Sequence, residues 1–361
     1  MTDDRLIHAM MAKALRLARR GEGLTSPNPM VGAVVFNRDG VIATGFHKKA
    51  GSPHAEIVAL QKAGDRARGA SLVINLEPCC HFGRTGPCTE AIVKAGIAEV
   101  IYAIEDPFDQ VCGKGARSLL RQGVAVVSGI MAAEAERLNE AYLTYVRTGR
   151  PFVVLKTAQS LDGRIATVTG ESKWISCPEA LAFGHRLRAR YDAVAVGAGT
   201  VRVDDPQLTV RLVKGRNPRR IVVTSSAALR PDLGLFVHNE DKQTTIVTTR
   251  EVIATGTYNS VTTWPVRKGP NGIDLKSLLE QAAKREVTSL LFEGGGQLAT
   301  ALLREGLVDK YFVVIAPMVI GRGKEAVGDL GIATISKAMR FEKYGFERIG
   351  TDTLFWGYPE K

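Results

Sequence analysis

Short apolar runs and amphipathic stretches alternate along most of this chain. Residues 5–20 set apolar and basic positions at helical spacing. Residues 30–35 and 41–45 read as the arms of a hairpin around Asn37-Arg38-Asp39-Gly40, a strong turn sequence. A helix is predicted from Pro53 to Ala63, with Ser52 as its cap and Pro53 near its first turn. Residues 71–76 form a buried strand that delivers Glu77-Pro78-Cys79. Further on come a helix over 89–95, a strand over 100–104, a helix over 116–122 and a strand over 124–127. Residues 132–146 read as one helix carrying the chain away, broken by Thr148-Gly149-Arg150-Pro151.

A second stretch of alternation follows the break. Strands are expected at 193–197, 220–224, 244–248, 289–293 and 310–315, with helices at 275–284 and 297–305. Strand–helix alternation in both halves means two layered α/β domains, residues 1–148 and 149–361. No internal repeat or low-complexity segment interrupts either half.

Composition narrows this picture modestly. The chain has 361 residues, enough for two domains, with 45% hydrophobic and 24% charged residues, ordinary for a soluble globular protein. Met1-Thr2-Asp3-Asp4-Arg5 does not read as a secretion signal, and no apolar run approaches membrane-spanning length. Five cysteines, an odd count, argue against a disulfide framework and for a reducing, cytoplasmic compartment. Cys112 and Cys177 carry no partner pattern and read as structural. A net charge of +11 favours anionic partners, either nucleic acid or phosphorylated small molecules. The basic residues are scattered in pairs such as Lys48-Lys49 and Arg219-Arg220 rather than gathered into a tail.

Chemistry concentrates at His54-Ala55-Glu56, Pro78-Cys79 and Cys88. One imidazole and two thiolates make three corners of a Zn²⁺ tetrahedron, with the fourth open for water. Glu56 is the proton shuttle such a site needs; it takes a proton from water and hands it to a departing amine. Two positions apart, His54 and Glu56 can cooperate only at a helix N-terminus aimed at the metal. Pro87-Cys88-Thr89-Glu90 reads as a second helix start, whose N-terminus would favour the Cys88 thiolate. The eight residues between Cys79 and Cys88 exceed the usual Pro-Cys-x-x-Cys spacing, and Cys80 is a competing ligand. A pair of small buried thiols is the plain alternative for the cysteines on their own.

Three clusters mark the second half. Phe292-Glu293-Gly294-Gly295-Gly296-Gln297 follows an apolar strand and opens a helix, so its backbone can approach a phosphate. It is neither a dinucleotide fingerprint nor a Walker loop, and a tight turn accounts for it as well. Lys156 to Arg164 and Val196 to Pro206 each end a strand with small residues, then polar and charged ones. Solvated loops are the plain alternative for both.

Together these segments closely resemble the bifunctional riboflavin-biosynthesis deaminase–reductases. The resemblance rests on residues 25–32, on 47–56, on the long cysteine spacing of 77–88, on Lys156–Arg164, Trp174-Ile175-Ser176, 204–211 and 292–296. It spans essentially the whole chain. It implies an N-terminal cytidine deaminase-like three-layer α/β/α domain and a C-terminal dihydrofolate reductase-like α/β domain. The first would release the 2-amino group of a phosphorylated ribosylaminopyrimidine; the second would reduce its ribosyl group to a ribityl chain with NADPH.

Carried over position by position, the zinc ligands fall on His54, Cys79 and Cys88, and the shuttle on Glu56. Asn28, His47, His81 and Arg84 would line the pyrimidine pocket. In the reductase, Lys156, Ser172, Arg188, Leu208, Arg211 and Glu293 would face substrate. Ala158, Trp174, Thr200, Asp204, Ser225, Gly295 and Gly296 would face NADPH. The resemblance also implies a homo-oligomer, dimer or tetramer, with no nucleic-acid or membrane partner. Cys80 stands where Ser is usual, Gly86 where Pro is, Phe108-Asp109 where Asn-Pro is, and Thr224 where Asp is. Two other readings compete: a nucleic-acid deaminase with an accessory domain, and a zinc-stabilised scaffold whose fourth ligand is Cys80 or His81.

Overall fold

The computed structural model describes residues 4–81, 86–226, 229–255, 261–269 and 272–360. The chain divides into two compact units, Met1–Gly149 and Arg150–Lys361.

The first unit is built from α1 (Asp4–Ala18), the hairpin β1 (Gly32–Asn37) and β2 (Gly40–Phe46), α2 (Ala55–Ala63), β3 (Ser71–Leu76), α3 (Cys88–Lys94), β4 (Glu99–Ile104), α4 (Lys114–Arg121), β5 (Ala125–Ser128), α5 (Ala132–Leu138) and α6 (Glu140–Thr148). Its sheet runs in the order β2-β1-β3-β4-β5, antiparallel around β1 and parallel from β3 to β5. Side chains alternate across the sheet. Ala33, Val35, Leu72 and Ile74 face one way, onto Ala55 and Ala59 of α2, Ile92 of α3 and Leu119 of α4. Val34, Phe36, Val73 and Ile101 face the other way, onto Met11 and Leu15 of α1 and Leu138 of α5. That is the expected three-layer α/β/α architecture.

Two glycines bring helices unusually close to this sheet. A Cβ on Gly32 would stand 2.1 Å from the Ala14 carbonyl oxygen, and one on Gly45 2.1 Å from that of Ala55. The second contact seats the first turn of α2, which carries Glu56, directly on β2.

Two sequence expectations fail here. Ser52 does not cap α2: its hydroxyl bonds the Lys49 backbone at 2.6 and 3.1 Å, and His54 is the residue preceding the helix. Residues 132–146 are not one helix. The chain breaks at Asn139 (φ −104°, ψ 20°), because its carboxamide is committed to the backbone of Met30.

The second unit comprises β6 (Phe152–Ser160), β7 (Arg164–Thr167), α7 (Pro178–Arg190), β8 (Ala193–Gly197), α8 (Ala198–Asp204), β9 (Arg219–Val223), α9 (Gly234–Val237), β10 (Thr244–Thr249), α10 (Arg250–Thr255), β11 (Thr262–Val266), the short pair β12 (Lys268–Gly269) and β13 (Gly272–Ile273), α11 (Leu275–Ala283), β14 (Ser289–Glu293), α12 (Gly296–Arg304), β15 (Lys310–Ala316), β16 (Gly323–Glu325), β17 (Phe341–Ile349) and β18 (Asp352–Pro359). The main sheet has the order β11-β10-β9-β8-β14-β6-β15-β18-β17. Its strands are parallel from β11 to β15, and β18 and β17 close it antiparallel. The core packs Leu155, Ala195, Ile221, Val247, Leu290 and Phe292 against Leu278 and Leu279 of α11 and Leu302 of α12. β6, β8, β9 and β14 all end at one edge, the place where open parallel sheets bind ligands.

Candidate active sites

The deaminase-like site is assembled at the ends of β2 and β3. β3 delivers Glu77-Pro78-Cys79, α2 begins just after His54, and α3 begins at Cys88. The donor atoms of His54, Cys79 and Cys88 lie within 4.8 Å of one another. His54 Nδ1 stands 3.2 Å from Cys88 Sγ and 3.5 Å from Cys79 Sγ. Those separations approach the roughly 3.5–3.8 Å edge that Zn–N and Zn–S bonds of about 2.0–2.3 Å impose on a tetrahedron. The donor set and its spacing fit Zn²⁺. Cys80 is not part of the cluster: its thiol donates to the Gln110 carbonyl at 3.5 Å. Among the described residues no fourth protein ligand completes the site, which removes the basis for a closed scaffold.

The Cys88 thiol and the His54 ring stabilise a Cys79 thiolate, whose pKa falls to about 4, and the Cys88 thiol is pushed up in return. The Cys88 N–H donates to Cys79 Sγ at 3.4 Å, so the helix start also favours charge on Cys79. Glu56 is 4% exposed, and burial raises its carboxyl pKa, with the Cys79 charge adding to the shift. A buried carboxyl beside the donor cluster is placed to carry a proton.

Asn28 and His47 meet beside this cluster, Asn28 Nδ2 lying 3.1 Å from His47 Nε2. His47 Nδ1 faces the Pro53 carbonyl at 3.2 Å, and burial lowers the pKa of the ring, so it stays neutral. Its ring stands edge-on to His54 at 5.7 Å between centroids. His81 Nδ1 is buried and, among the described residues, has no hydrogen-bond partner, the condition of a polar group that awaits a ligand. The His81 ring also packs edge-on against Phe108. Arg84 lies outside the described residues.

Sequence reasoning missed the support behind the site. Both oxygens of Glu77 accept backbone N–H groups, from Gly113 and Asp106 on one side and Ala116 on the other, at 2.9–3.3 Å. This buried carboxylate ties the strand end to the start of α4 one residue before Pro78. Only its place in Glu-Pro-Cys could have flagged it. Of the cysteines read as structural, Cys177 donates to the Ile349 carbonyl at 3.1 Å, whereas Cys112 is exposed.

The second unit holds a cleft of about 1820 Å³ at the strand ends. Every reductase residue anticipated from sequence lines it, from Lys156 on β6 to Ser225 after β9 and Gly295-Gly296 at the start of α12. Lys156 and Glu293 are in-register neighbours on β6 and β14. Burial works against the Glu293 carboxylate, but the Arg188 guanidinium outweighs it and holds the pKa low. Burial also lowers the Lys156 pKa. Gly294 and Gly295 adopt φ of 65° and 63°, and a Cβ on Gly296 would stand 2.2 Å from the Glu325 carbonyl oxygen. These positions demand glycine for backbone reasons. Thr224 turns inward, its hydroxyl bridging the Ser226 backbone at 2.8 and 3.2 Å, and so shapes the turn that presents Ser225. His185, also in the cleft wall, escaped the sequence reading. A lone histidine on a helix gives no signal of its own.

The model of the RibD C-terminal domain family matches residues 151–355, more than half of the chain. The chain belongs to the RibD family. Residues 4–104 match the cytidine and deoxycytidylate deaminase zinc-binding region. The riboflavin biosynthesis protein RibD of Aquifex aeolicus is 41% identical over 96% of both chains, and that of Escherichia coli 38% over 95% and 96%. A solved deaminase/reductase from Thermotoga maritima superposes with a TM-score of 0.88 at 34% identity, covering 99% of each chain; RibD of Acinetobacter baumannii gives 0.89. The protein is a bifunctional deaminase and reductase of riboflavin biosynthesis, with zinc as cofactor of the first unit and NADPH of the second. Among the described residues no helix is long and apolar enough to cross a membrane.

Proposed function

We propose that the first unit hydrolyses the 2-amino group of 2,5-diamino-6-ribosylamino-4(3H)-pyrimidinone 5′-phosphate. The second unit then reduces the ribosyl group to give 5-amino-6-ribitylamino-uracil 5′-phosphate. The Thermotoga relative is a diaminohydroxyphosphoribosylaminopyrimidine deaminase and 5-amino-6-(5-phosphoribosylamino)uracil reductase. The observation that carries the reading is the pairing of a buried carboxyl, Glu56, with a three-donor His54/Cys79/Cys88 cluster.

His54, Cys79 and Cys88 would hold Zn²⁺, which would supply an activated water at neutral pH. Glu56 takes a proton from water and returns it to the amine, which leaves as ammonia while the ring carbon keeps the oxygen. Asn28, His47, His81 and Arg84 orient the pyrimidine. In the cleft NADPH supplies the hydride. Lys156, Ser172, Arg188, Leu208, Arg211 and Glu293 hold the phosphorylated ribosyl substrate. Ala158, Trp174, Thr200, Asp204, Ser225 and the Gly295-Gly296 turn hold the dinucleotide. Basic side chains facing anionic ligands give part of the +11 charge a use.

The protein is read further as a cytoplasmic homo-oligomer, dimer or tetramer, without nucleic-acid partners. All five cysteines are free, which suits a reducing compartment. β17 is an outer strand of its sheet, with Tyr344 and Phe346 60% and 63% exposed, the kind of apolar edge a second copy covers.

The test is Glu56→Ala. Ammonia release from the diaminopyrimidine phosphate disappears, while NADPH oxidation persists when the deaminated intermediate is supplied. Retained ammonia release removes Glu56 from its role.

A further inference from the structure

A buried clamp stands beside the Asn28–His47 pair of the deaminase unit. The Met30 N–H donates to Asn139 Oδ1 at 2.8 Å. The Met30 carbonyl accepts from Asn139 Nδ2 at 3.0 Å and from Asn75 Nδ2 at 2.9 Å. The Gly32 N–H donates to Asn75 Oδ1 at 2.8 Å. Asn75 and Asn139 are 0% and 2% exposed. Two carboxamides thus engage the backbone of Met30 and Gly32 with both their donors and their acceptors.

What hangs from that short segment is the pocket. Asn28 lies two residues upstream, and the Val31 carbonyl, between the clamped residues, accepts the His47 N–H at 2.8 Å. The two side chains then meet each other, Asn28 Nδ2 to His47 Nε2, with the His47 ring against His54. Both residues read as facing the pyrimidine therefore take their position from Met30–Gly32. Asn139 makes its contribution by interrupting a helix. Ala135, Leu138 and Leu143 continue the apolar spacing across the break, so an apolar residue at 139 would serve packing alone.

We propose that Asn139 is a positioning residue of the deaminase, acting through Met30 to set the Asn28–His47 pair against the substrate. This rests on the reading of Asn28 and His47 as pocket residues.

The test uses the zinc-loaded full chain as Asn28→Ala, Asn139→Ala and the double variant. Ammonia release is measured on the diaminopyrimidine phosphate, NADPH oxidation on the deaminated intermediate, and zinc content on each preparation. Asn139→Ala lowers deaminase kcat/KM between about ten- and a hundredfold, mostly through KM, as expected for a displaced binding group. Reductase kinetics and zinc content stay at wild-type values. The double variant falls by less than the product of the two single losses, because part of one effect runs through the other. Additive losses, or an equal fall in both activities, overturn the proposal. Wild-type deamination by Asn28→Ala overturns instead the pocket reading beneath it. Should Asn139→Ala fail to fold, Asn75→Ser loosens the same Met30 carbonyl and carries the same expectations.

Discussion

Arg188 and Glu293 meet as a two-pronged ion pair, Nε to Oε1 at 2.8 Å and Nη2 to Oε2 at 2.7 Å. The pair is largely buried, and the Lys156 cation interacts with the same carboxylate. Removing Glu293 would leave two cations facing each other with no counter-charge. Breaking a buried pair from one side costs about 3–5 kcal/mol. Glu293→Gln is expected to lower the denaturation midpoint of the reductase unit and to depress NADPH oxidation, leaving ammonia release intact. Equal loss of both activities would speak against a local role.

The two strands behind this pair were legible because parallel strands buried on both faces read as apolar runs, as in Val153–Leu155 and Leu290–Phe292. The metal site was legible for a related reason: its donors sit where strands hand over to helices. What stayed hidden depends on distant partners. Asn139 breaks a helix whose periodicity continues on either side, and its partner, Met30, is 109 residues away. Ser52-Pro53 carries a local capping pattern, yet the hydroxyl closes a turn with Lys49 instead. β17 buries little of either face, so no alternation announces it.

Cys80 and Cys88 should part company on substitution. The Cys80 thiol points to the Gln110 carbonyl and lies outside the donor cluster, whereas Cys88 Sγ is 3.2 Å from His54 Nδ1. Cys80→Ser is expected to retain about one Zn²⁺ per chain and wild-type ammonia release. Cys88→Ser loses metal to a chelator that leaves the wild type loaded, and loses deamination with it. Metal analysis after chelator dialysis decides the matter, and zinc loss from Cys80→Ser would place that thiol among the ligands.

Gly45 offers a test of how α2 is seated. An added methyl group would stand 2.1 Å from the Ala55 oxygen and 2.7 Å from the Ala59 nitrogen, both backbone atoms that cannot swing aside. The helix must shift. Overpacking of this kind costs about 1–3 kcal/mol. Because the first turn of α2 holds Glu56 and follows His54, Gly45→Ala is expected to lower kcat for ammonia release. Reductase kinetics should hold. Wild-type deamination in a fully folded variant would show that the seating of α2 does not govern the shuttle.

His185 predicts how the reductase unit responds to acid. Its Nδ1 accepts the Arg211 N–H at 2.9 Å, so the ring must be neutral on that side. Burial, then the Arg188 and Arg211 charges, hold its pKa down to about 4, against an ordinary value of 6.5. Between those values the unfolded chain binds more protons than the folded one, so stability rises with pH. The contribution is complete above about pH 6.5 and is lost as pH falls toward 4, by at most about 1.4 kcal/mol per pH unit. Protonation also removes the acceptor that holds the Arg211 backbone. The wild-type reductase unit is therefore expected to denature more readily at pH 5 than at pH 7.5. His185→Gln keeps an acceptor but cannot titrate, so its denaturation midpoint should change less over the same interval. Identical pH dependence in the two proteins would assign the acid response to another group.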